Sequence, residues 1–272
     1  MVTRMENKSH HKRIKNFSKK WIDDLNETRF NQFEHVVETT STNSDLVLRA
    51  AHSVSGLVLV ADHQTSGRGR LDRTWEALGG NNLLCSLLLK PEWDKSRNTL
   101  LTSALAVVLT QTLKTWEIPT LIKWPNDLVV ATESEEKLAG ILAEYVHGEF
   151  ERVVIGFGLN IDWPGNKEEG PPGAISLKML GMEIDRWLLL KEILINFEKQ
   201  LQLLATAEGP SKLRKSHLAC SATIGKKIKV NTQGKEVTGT ATDITDEGLL
   251  VINNRKTETK IHSGDVTSVR GS

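Results

Sequence analysis

Between Gln64 and Trp75 the chain reads Gln-Thr-Ser-Gly-Arg-Gly-Arg-Leu-Asp-Arg-Thr-Trp, so that Arg68, Arg70 and Arg73 follow Gly67 and Gly69 and end on an aromatic ring. Guanidinium forks chelate carboxylates and phosphates, and glycines let backbone N–H groups approach a ligand closely. The chemistry on offer is therefore anion binding. The pattern is not a Walker loop, since the Gly-Lys-Ser/Thr ending is absent, and Asp72 stands where a dinucleotide fingerprint needs its third glycine. The chain also shows no nucleophile elbow, no His-Glu-x-x-His and no paired-cysteine metal motif.

Four further stretches carry polar groups. Ser41-Thr42-Asn43 precedes an apolar run and, with Thr42 and Asp45 as a loose capping box, starts a helix over Leu46 to Ala51. Capping alone would account for these side chains. Lys123-Trp124-Pro125-Asn126-Asp127 interrupts a strand that resumes at Leu128, because proline cannot donate to a ladder. It is either a bend that presents polar groups or an ordinary turn. Lys137 opens the strand Lys137 to Glu144, where a lysine is commonly no more than a polar strand end. Gly156 and Gly158 alternate in Val153 to Ile161, which marks a place where something approaches the backbone.

The elements that would hold these groups follow from hydrophobic periodicity. Apolar runs Leu57 to Ala61 and Leu83 to Leu89 flank the arginine loop, so it joins two buried strands, with Gly79 to Asn82 as the turn into the second. A strand over Phe33 to Val37 precedes them, and Trp21 to Leu25 reads as a helical turn or two. Leu101, Ala104, Leu105, Val108 and Leu109 define a core helix within Asn98 to Trp116. Glu133 to Glu136 is a solvated hairpin loop, and Pro164 to Gly173 another loop. Trp187, Leu190, Leu194, Phe197, Leu201 and Leu204 form a helical core stripe that Gly209-Pro210 ends. From Ala222 onward short alternating runs separated by Gln233-Gly234, Glu247-Gly248 and Ser263-Gly264 indicate a small all-β barrel. The expected organisation is a basic, disordered tail over 1–32, a main domain over 33–214 and a C-terminal β-barrel over 215–272.

The totals set limits on partners. The formal net charge of +1 over 272 residues gives no general basic excess for a polyanion, so no DNA partner is expected. Cys85 and Cys220 form neither a disulfide framework nor a metal spacing, which fits a reducing cytoplasm. No apolar run reaches the length of a membrane span, and the first twenty residues, rich in lysine and histidine, lack the apolar core of a secretory signal.

Taken in order, Ser41-Thr42-Asn43, the Gly67-Arg-Gly-Arg70 loop, Lys123 to Asp127, Lys137-Leu-Ala-Gly140-Ile-Leu142 and Gly156-Phe-Gly-Leu-Asn160 resemble the catalytic domain of the biotin protein ligases (biotin-[acetyl-CoA carboxylase] ligases). The closing β-rich segment resembles their SH3-like C-terminal barrel. The resemblance runs from Phe33 to Arg270 and implies an α/β (α+β) fold, a mixed-sheet biotin/lipoate ligase-like domain followed by that barrel. The stretch before Phe33 is too short for the winged helix-turn-helix of the biotin repressors, so the expected type is the monofunctional one. The implied activity uses ATP and Mg²⁺ to convert biotin into biotinyl-5'-AMP, and then biotinylates a lysine of a biotin carboxyl carrier protein.

By the same resemblance Ser41, Thr42, Asn43, Gln64, Gly67, Arg68, Gly69, Arg70, Lys137 and Gly140 would meet biotin. Arg70, Arg73, Trp75, Lys123, Asn126 and Asn160 would meet the nucleotide, with Trp75 against adenine. Lys137, Arg68, Arg70 and Arg73 would be catalytic, and no residue is implied as a metal ligand. Asp72 departs from the family pattern, which has glycine there, and is expected to reduce loop mobility by pairing with an arginine. Two rival functions share parts of this pattern: a lipoate or octanoate protein ligase or transferase, and a biotin-sensing nucleic-acid-binding regulator.

Overall fold

A computed structural model describes residues 21, 23–71, 73–76, 82–146, 151–163, 170–232, 234–254 and 257–268. Asp72, most of the turn before Leu83, the start of the loop after Trp163 and the first twenty residues therefore lie outside the described residues. The elements in order are β1 (Gln32–Thr39), α1 (Thr42–Arg49), β2 (Leu57–Gln64), β3 (Leu83–Leu89), α2 (Leu101–Thr115), β4 (Thr120–Lys123), β5 (Asp127–Val130), β6 (Lys137–Val146) and β7 (Arg152–Leu159). They continue with α3 (Arg186–Ala205), α4 (Gly209–Ala219), β8 (Lys227–Thr232), β9 (Lys235–Ile244), β10 (Leu250–Asn253), β11 (Glu258–Ile261) and β12 (Asp265–Ser268).

Strands β1 to β7 form one seven-stranded sheet in the order β1-β2-β3-β7-β6-β5-β4. Only β1 with β2 is parallel, so the sheet is mixed. Strand alternation sorts the side chains onto two faces. Val58 and Val60 of β2, Leu83, Leu87 and Leu89 of β3, and Val153, Ile155 and Phe157 of β7 pack with α2 and α3 in the main core. The intervening Leu57, Leu59, Leu88 and Val154 pack with Leu46 and Ala50 around α1 on the opposite face. Further along that second face the row carries Ser86, Gly156 and Gly158 in place of bulky residues.

Helix α2 has Leu101, Ala104, Leu105 and Leu109 of the stripe that the sequence spacing anticipates at 0% exposure, and Leu113 extends it. Truncating one such leucine costs about 2–5 kcal/mol. Strands β8 to β12 form a five-stranded antiparallel sheet, β11-β10-β9-β8-β12, with Ile228, Val230, Ala241, Ile244, Leu250 and Ile252 in its core.

The structure corrects four expectations. Residues 21 and 23–30 belong to the folded unit and not to a tail: Trp21, Leu25 and Phe30 are buried against the main core, where Phe30 stacks on Phe197 of α3. Arg29 grips buried Glu198 through Nε at 2.7 Å. Helix α1 begins at Thr42, and its cap is Ser41, whose Oγ accepts from the Ser44 amide. Thr42 is thus freed for other contacts. The Lys123 to Asp127 stretch does not let one strand resume; β4 and β5 fold back on each other as an antiparallel hairpin around the cis Trp124–Pro125 peptide. Gly209-Pro210 does not close the helical region either, because α3 ends at Ala205 and Pro210 opens α4. The expected boundary between 214 and 215 falls inside α4, and the second sheet begins at Lys227.

Candidate functional site

The part of the second sheet face that carries Ser86, Gly156 and Gly158 is the floor of a cleft of about 350 Å³. That is room for a small organic ligand. The floor is low because three positions lack side chains. Gly140 of β6 pairs with Gly158 of β7, and Gly156 of β7 pairs with Ser86 of β3. A Cβ at Gly158 would stand 2.4 Å from the Trp75 ring, and one at Gly156 would stand 2.0 Å from Asn43 Oδ1. The approach that alternating glycines implied is therefore made by Trp75 and Asn43.

At one end of the cleft α1 places three consecutive side chains. Capping by Ser41 fixes the first turn, so Thr42 and Asn43, both buried, face the sheet. Gln64 Oε1, at the end of β2, accepts from the Thr42 amide at 2.7 Å and from its hydroxyl at 3.0 Å. Ser86 Oγ lies 2.6 Å from Asn43 Oδ1 and 2.7 Å from Thr42 Oγ1. The outcome is a compact polar pocket set in an apolar sheet, able to offer donors and acceptors to a planar polar head group.

The arginine loop is a small hairpin that rises beside this pocket. Arg68 bridges to Thr74, the Gly69 amide donates to Arg73 O at 2.7 Å, and the Trp75 amide donates to Gly67 O at 2.9 Å. Leu71 sits at its tip with φ of 54°, in the left-handed region. Gly67 is held so tightly against the Trp75 carbonyl that a Cβ there would come to 2.5 Å of it. The hairpin turns Arg68, Arg70 and Arg73 toward the cleft and returns the Trp75 ring onto the glycine floor.

The third wall comes from the β4–β5 turn and the C-terminal sheet. Trp124 is buried in the core of that sheet, with Nε1 donating to Gly248 O at 3.3 Å and its amide to Thr223 Oγ1 at 3.0 Å. This anchor holds Lys123, Asn126 and Asp127 at the cleft. Asn126 Nδ2 donates to Ile141 O at 2.9 Å, which leaves its Oδ1 to accept from Arg70 Nη1 at 3.0 Å. Residues 264–267, at the start of β12, line the same space.

Positive charge in the cleft is balanced by carboxylates of the chain. Arg68 Nη1 meets Glu144 Oε1 at 2.7 Å, Lys137 Nζ meets Asp127 Oδ1 at 2.8 Å, and Arg73 pairs with Asp265. Lys137 also lies 5.4 Å from the centre of the Trp75 ring, within cation–π range. Burial lowers the pKa of Arg70 from the ordinary arginine range, while Asp265 and Asp127 push it back up. It remains a cation under any working condition.

Among the sequence-expected residues, Ser41, Thr42, Asn43, Gln64, Arg68, Gly69, Arg70, Arg73, Trp75, Lys123, Asn126, Lys137 and Gly140 all line this cleft. Gly67 lies on the outer side of the hairpin. Asn160 is not brought to the cleft: it is buried behind β6, where its Nδ2 donates to Ile175 O at 3.1 Å and to Lys137 O at 3.4 Å. Its side chain steadies the strand that carries Lys137. Sequence reasoning did not find Ser86, Glu144, Asp265 or Trp124 as an anchor. The one signal for Ser86 was a polar residue inside an otherwise apolar run, and Asp265 gave none.

The arrangement agrees with comparisons to known proteins. Residues 33–160 match the biotin/lipoate A/B protein ligase family, and residues 223–267 match the biotin protein ligase C terminal domain. The biotin–[acetyl-CoA-carboxylase] ligase of Mycobacterium tuberculosis is 34% identical over 252 residues, covering 88% of this chain and 90% of that protein. The bifunctional ligase/repressor BirA of Bacillus subtilis is 32% identical over 239 residues, covering 85% and 72%. Among solved structures, the biotin protein ligase from Aquifex aeolicus in complex with biotin and ATP superposes with a TM-score of 0.76 at 26% identity, covering 89% of this chain and all of that one.

Proposed function

Because this chain belongs to the biotin protein ligase family, we propose that it joins biotin to ATP as biotinyl-5'-AMP and then biotinylates a lysine of a biotin carboxyl carrier protein. The observation that carries this reading is the single cleft in which a neutral polar pocket at Thr42, Asn43 and Gln64 opens beside five cationic side chains, Arg68, Arg70, Arg73, Lys123 and Lys137.

In the first step a biotin carboxylate oxygen attacks the α-phosphorus, and pyrophosphate leaves. Two anions must meet, so the barrier is largely electrostatic and positional. The head group would sit in the pocket of Ser41, Thr42, Asn43 and Gln64, with its acyl tail directed toward Lys137. Lys137 then stands where carboxylate and phosphate meet. Arg68, Arg70 and Arg73 close from the hairpin side, and Lys123 and Asn126 meet the phosphates from the β4–β5 turn. Trp75 offers its ring face to the adenine. Mg²⁺ would be carried mainly by the phosphates, with Asp127 or Asp265 of the cleft wall as a carboxylate that could join it, because Mg²⁺ is usually held by one or two carboxylates plus substrate oxygens. When bound it would spread phosphate charge.

In the second step the carrier lysine, as a neutral amine, attacks the acyl carbon, AMP leaves with the bonding electrons, and the amine's surplus proton passes to solvent. The adenylate is a mixed anhydride that water would destroy, which gives the hairpin a second task in excluding solvent. No protein nucleophile is required. Asn160 acts behind Lys137 as a positioning residue.

The test is to mix the purified chain with biotin, Mg-ATP and a biotin carboxyl carrier domain, and to follow the carrier by mass spectrometry. Biotinylation of one lysine is expected; acceptance of lipoate or octanoate in place of biotin would overturn the assignment. Lys137→Ala and Arg68→Ala are expected to lower adenylation by roughly a hundredfold or more with the fold retained, as for groups that act on transition-state charge. Wild-type pyrophosphate release in either would show its role misassigned.

A further inference from the structure

Glu144 of β6 makes two contacts that belong to different parts of the site. Its Oε1 accepts from Arg68 Nη1 of the hairpin at 2.7 Å, and its Oε2 accepts from Asn43 Nδ2 of the head-group pocket at 2.9 Å. Its side chain is only 19% exposed, and the strand beneath it is paired with Val154 of β7. The carboxylate is held rather than free to swing.

An ionised carboxylate can only accept hydrogen bonds. It follows that the end of the Asn43 amide facing Glu144 must be its NH₂ group, which also donates to Leu142 O at 3.2 Å. The Asn43 oxygen then faces Ser86, whose hydroxyl lies 2.6 Å away and donates to it. Gly156 leaves the room for that oxygen, since a Cβ would stand 2.0 Å from it. An asparagine can present either end to a ligand, and a pocket that must discriminate a head group cannot leave that choice open. Here two acceptor-only groups, the Glu144 carboxylate and the Leu142 carbonyl, make it together.

We propose that Glu144 is a positioning residue for head-group recognition, which, together with the Leu142 carbonyl, holds the orientation of the Asn43 amide and, through the same carboxylate, ties Arg68 to that end of the cleft. Pocket geometry and hairpin position are thereby coupled through one side chain. The inference rests on the reading of the cleft as a biotin site.

The informative substitution is Glu144→Gln. A glutamine has one acceptor oxygen, so it can serve Arg68 or Asn43, and its own NH₂ group then opposes the remaining donor. Calorimetry on the full chain would measure the dissociation constants of biotin and, separately, of a non-hydrolysable ATP analogue. Glu144→Gln is expected to weaken biotin about tenfold, as the loss of one charge-assisted hydrogen bond does, and to move the ATP analogue by less than about twofold. The loss should shrink to less than about threefold when the substitution is made on an Asn43→Ala background, because the group it positions is gone.

Equal weakening of both ligands, or biotin binding within about twofold of wild type, would overturn the inference. Should Glu144→Gln fail to fold, Glu144→Asp carries the same comparison: it keeps both acceptors but lacks reach, and a loss confined to biotin supports the role, whereas a loss shared with the ATP analogue overturns it. Wild-type chain that binds no biotin would instead overturn the functional reading itself, and this inference with it.

Discussion

Trp75 lies flat on the floor only because Gly140 and Gly158 supply no Cβ, and the methyl of an alanine at 158 would penetrate the ring by more than an ångström of van der Waals contact, starting from 2.4 Å. Something must move, and the hairpin residue is the least buried partner. Gly158→Ala is therefore expected to lift Trp75 away from Lys137 and to lower kcat/KM for pyrophosphate release by roughly tenfold or more, with no loss of thermal stability, since glycine is itself a poor strand residue. Unchanged kinetics would show that the ring does not need the floor. The alternating glycines were legible in the sequence as a place of close approach, but the identity of the approaching groups was not. Glu144 was harder still: it closes a buried strand run, and nothing local distinguishes a carboxylate that orients an asparagine 101 residues away from one that faces solvent.

Helices and strands were mostly legible where one face is apolar. The α2 stripe and the β2 and β3 runs stand as their spacing indicates, because hydrophobic periodicity is dictated locally. Helix α4 was not. Gly209-Pro210 reads as a stop, yet proline is equally suited to a first helical turn, and only tertiary packing chooses. That packing buries His217 of α4 against α2, with Ser103 Oγ hydrogen-bonded to its Nδ1 and with no hydrogen-bond partner at Nε2 among the described residues.

Burial pushes the His217 pKa down from 6.5 to about 4. The sign of the consequence follows from proton counts. Between those two values the unfolded chain binds the proton and the folded chain does not, so stability falls as pH drops below about 6.5 and stops falling near 4. The loss amounts to about 3 kcal/mol at most. Denaturant titrations across that range should show the slope in wild type and a flatter one in His217→Gln; equal slopes would mean that other groups carry the acid limb.

At the scale of the whole molecule, the succession of most strands along the chain and the presence of a second β-rich unit could be read from the sequence, while the order of the strands in the sheet and the joint between the two units could not. It is built from contacts distant in sequence. Trp124 enters the core of the second sheet, Ile122 pairs with Cys220 and Ala222 through backbone hydrogen bonds of 2.7 and 2.8 Å, and Arg73 reaches Asp265. A turn such as Lys123 to Asp127 reads as ambiguous in isolation because what fixes it lies about a hundred residues later, as the Trp124 amide bond to Thr223 shows. The C-terminal unit is thus part of the site's wall and not an appendage.

The internal pairing of Arg68 with Glu144, Arg73 with Asp265 and Lys137 with Asp127 has a consequence for ionic strength. A cleft whose cations were bare would gather mobile counterions, and an incoming polyanion would release them, making affinity fall steeply as salt rises. Here the places of those counterions are taken by carboxylates of the chain itself. Capture of a polyphosphate becomes an exchange of one tethered partner for another, with little net release of salt ions. Between roughly 50 and 200 mM potassium chloride, the dissociation constant of an ATP analogue should change by less than about threefold, where a bare five-cation cleft would lose far more. A steep dependence would mean that the carboxylates do not hold these positions in solution.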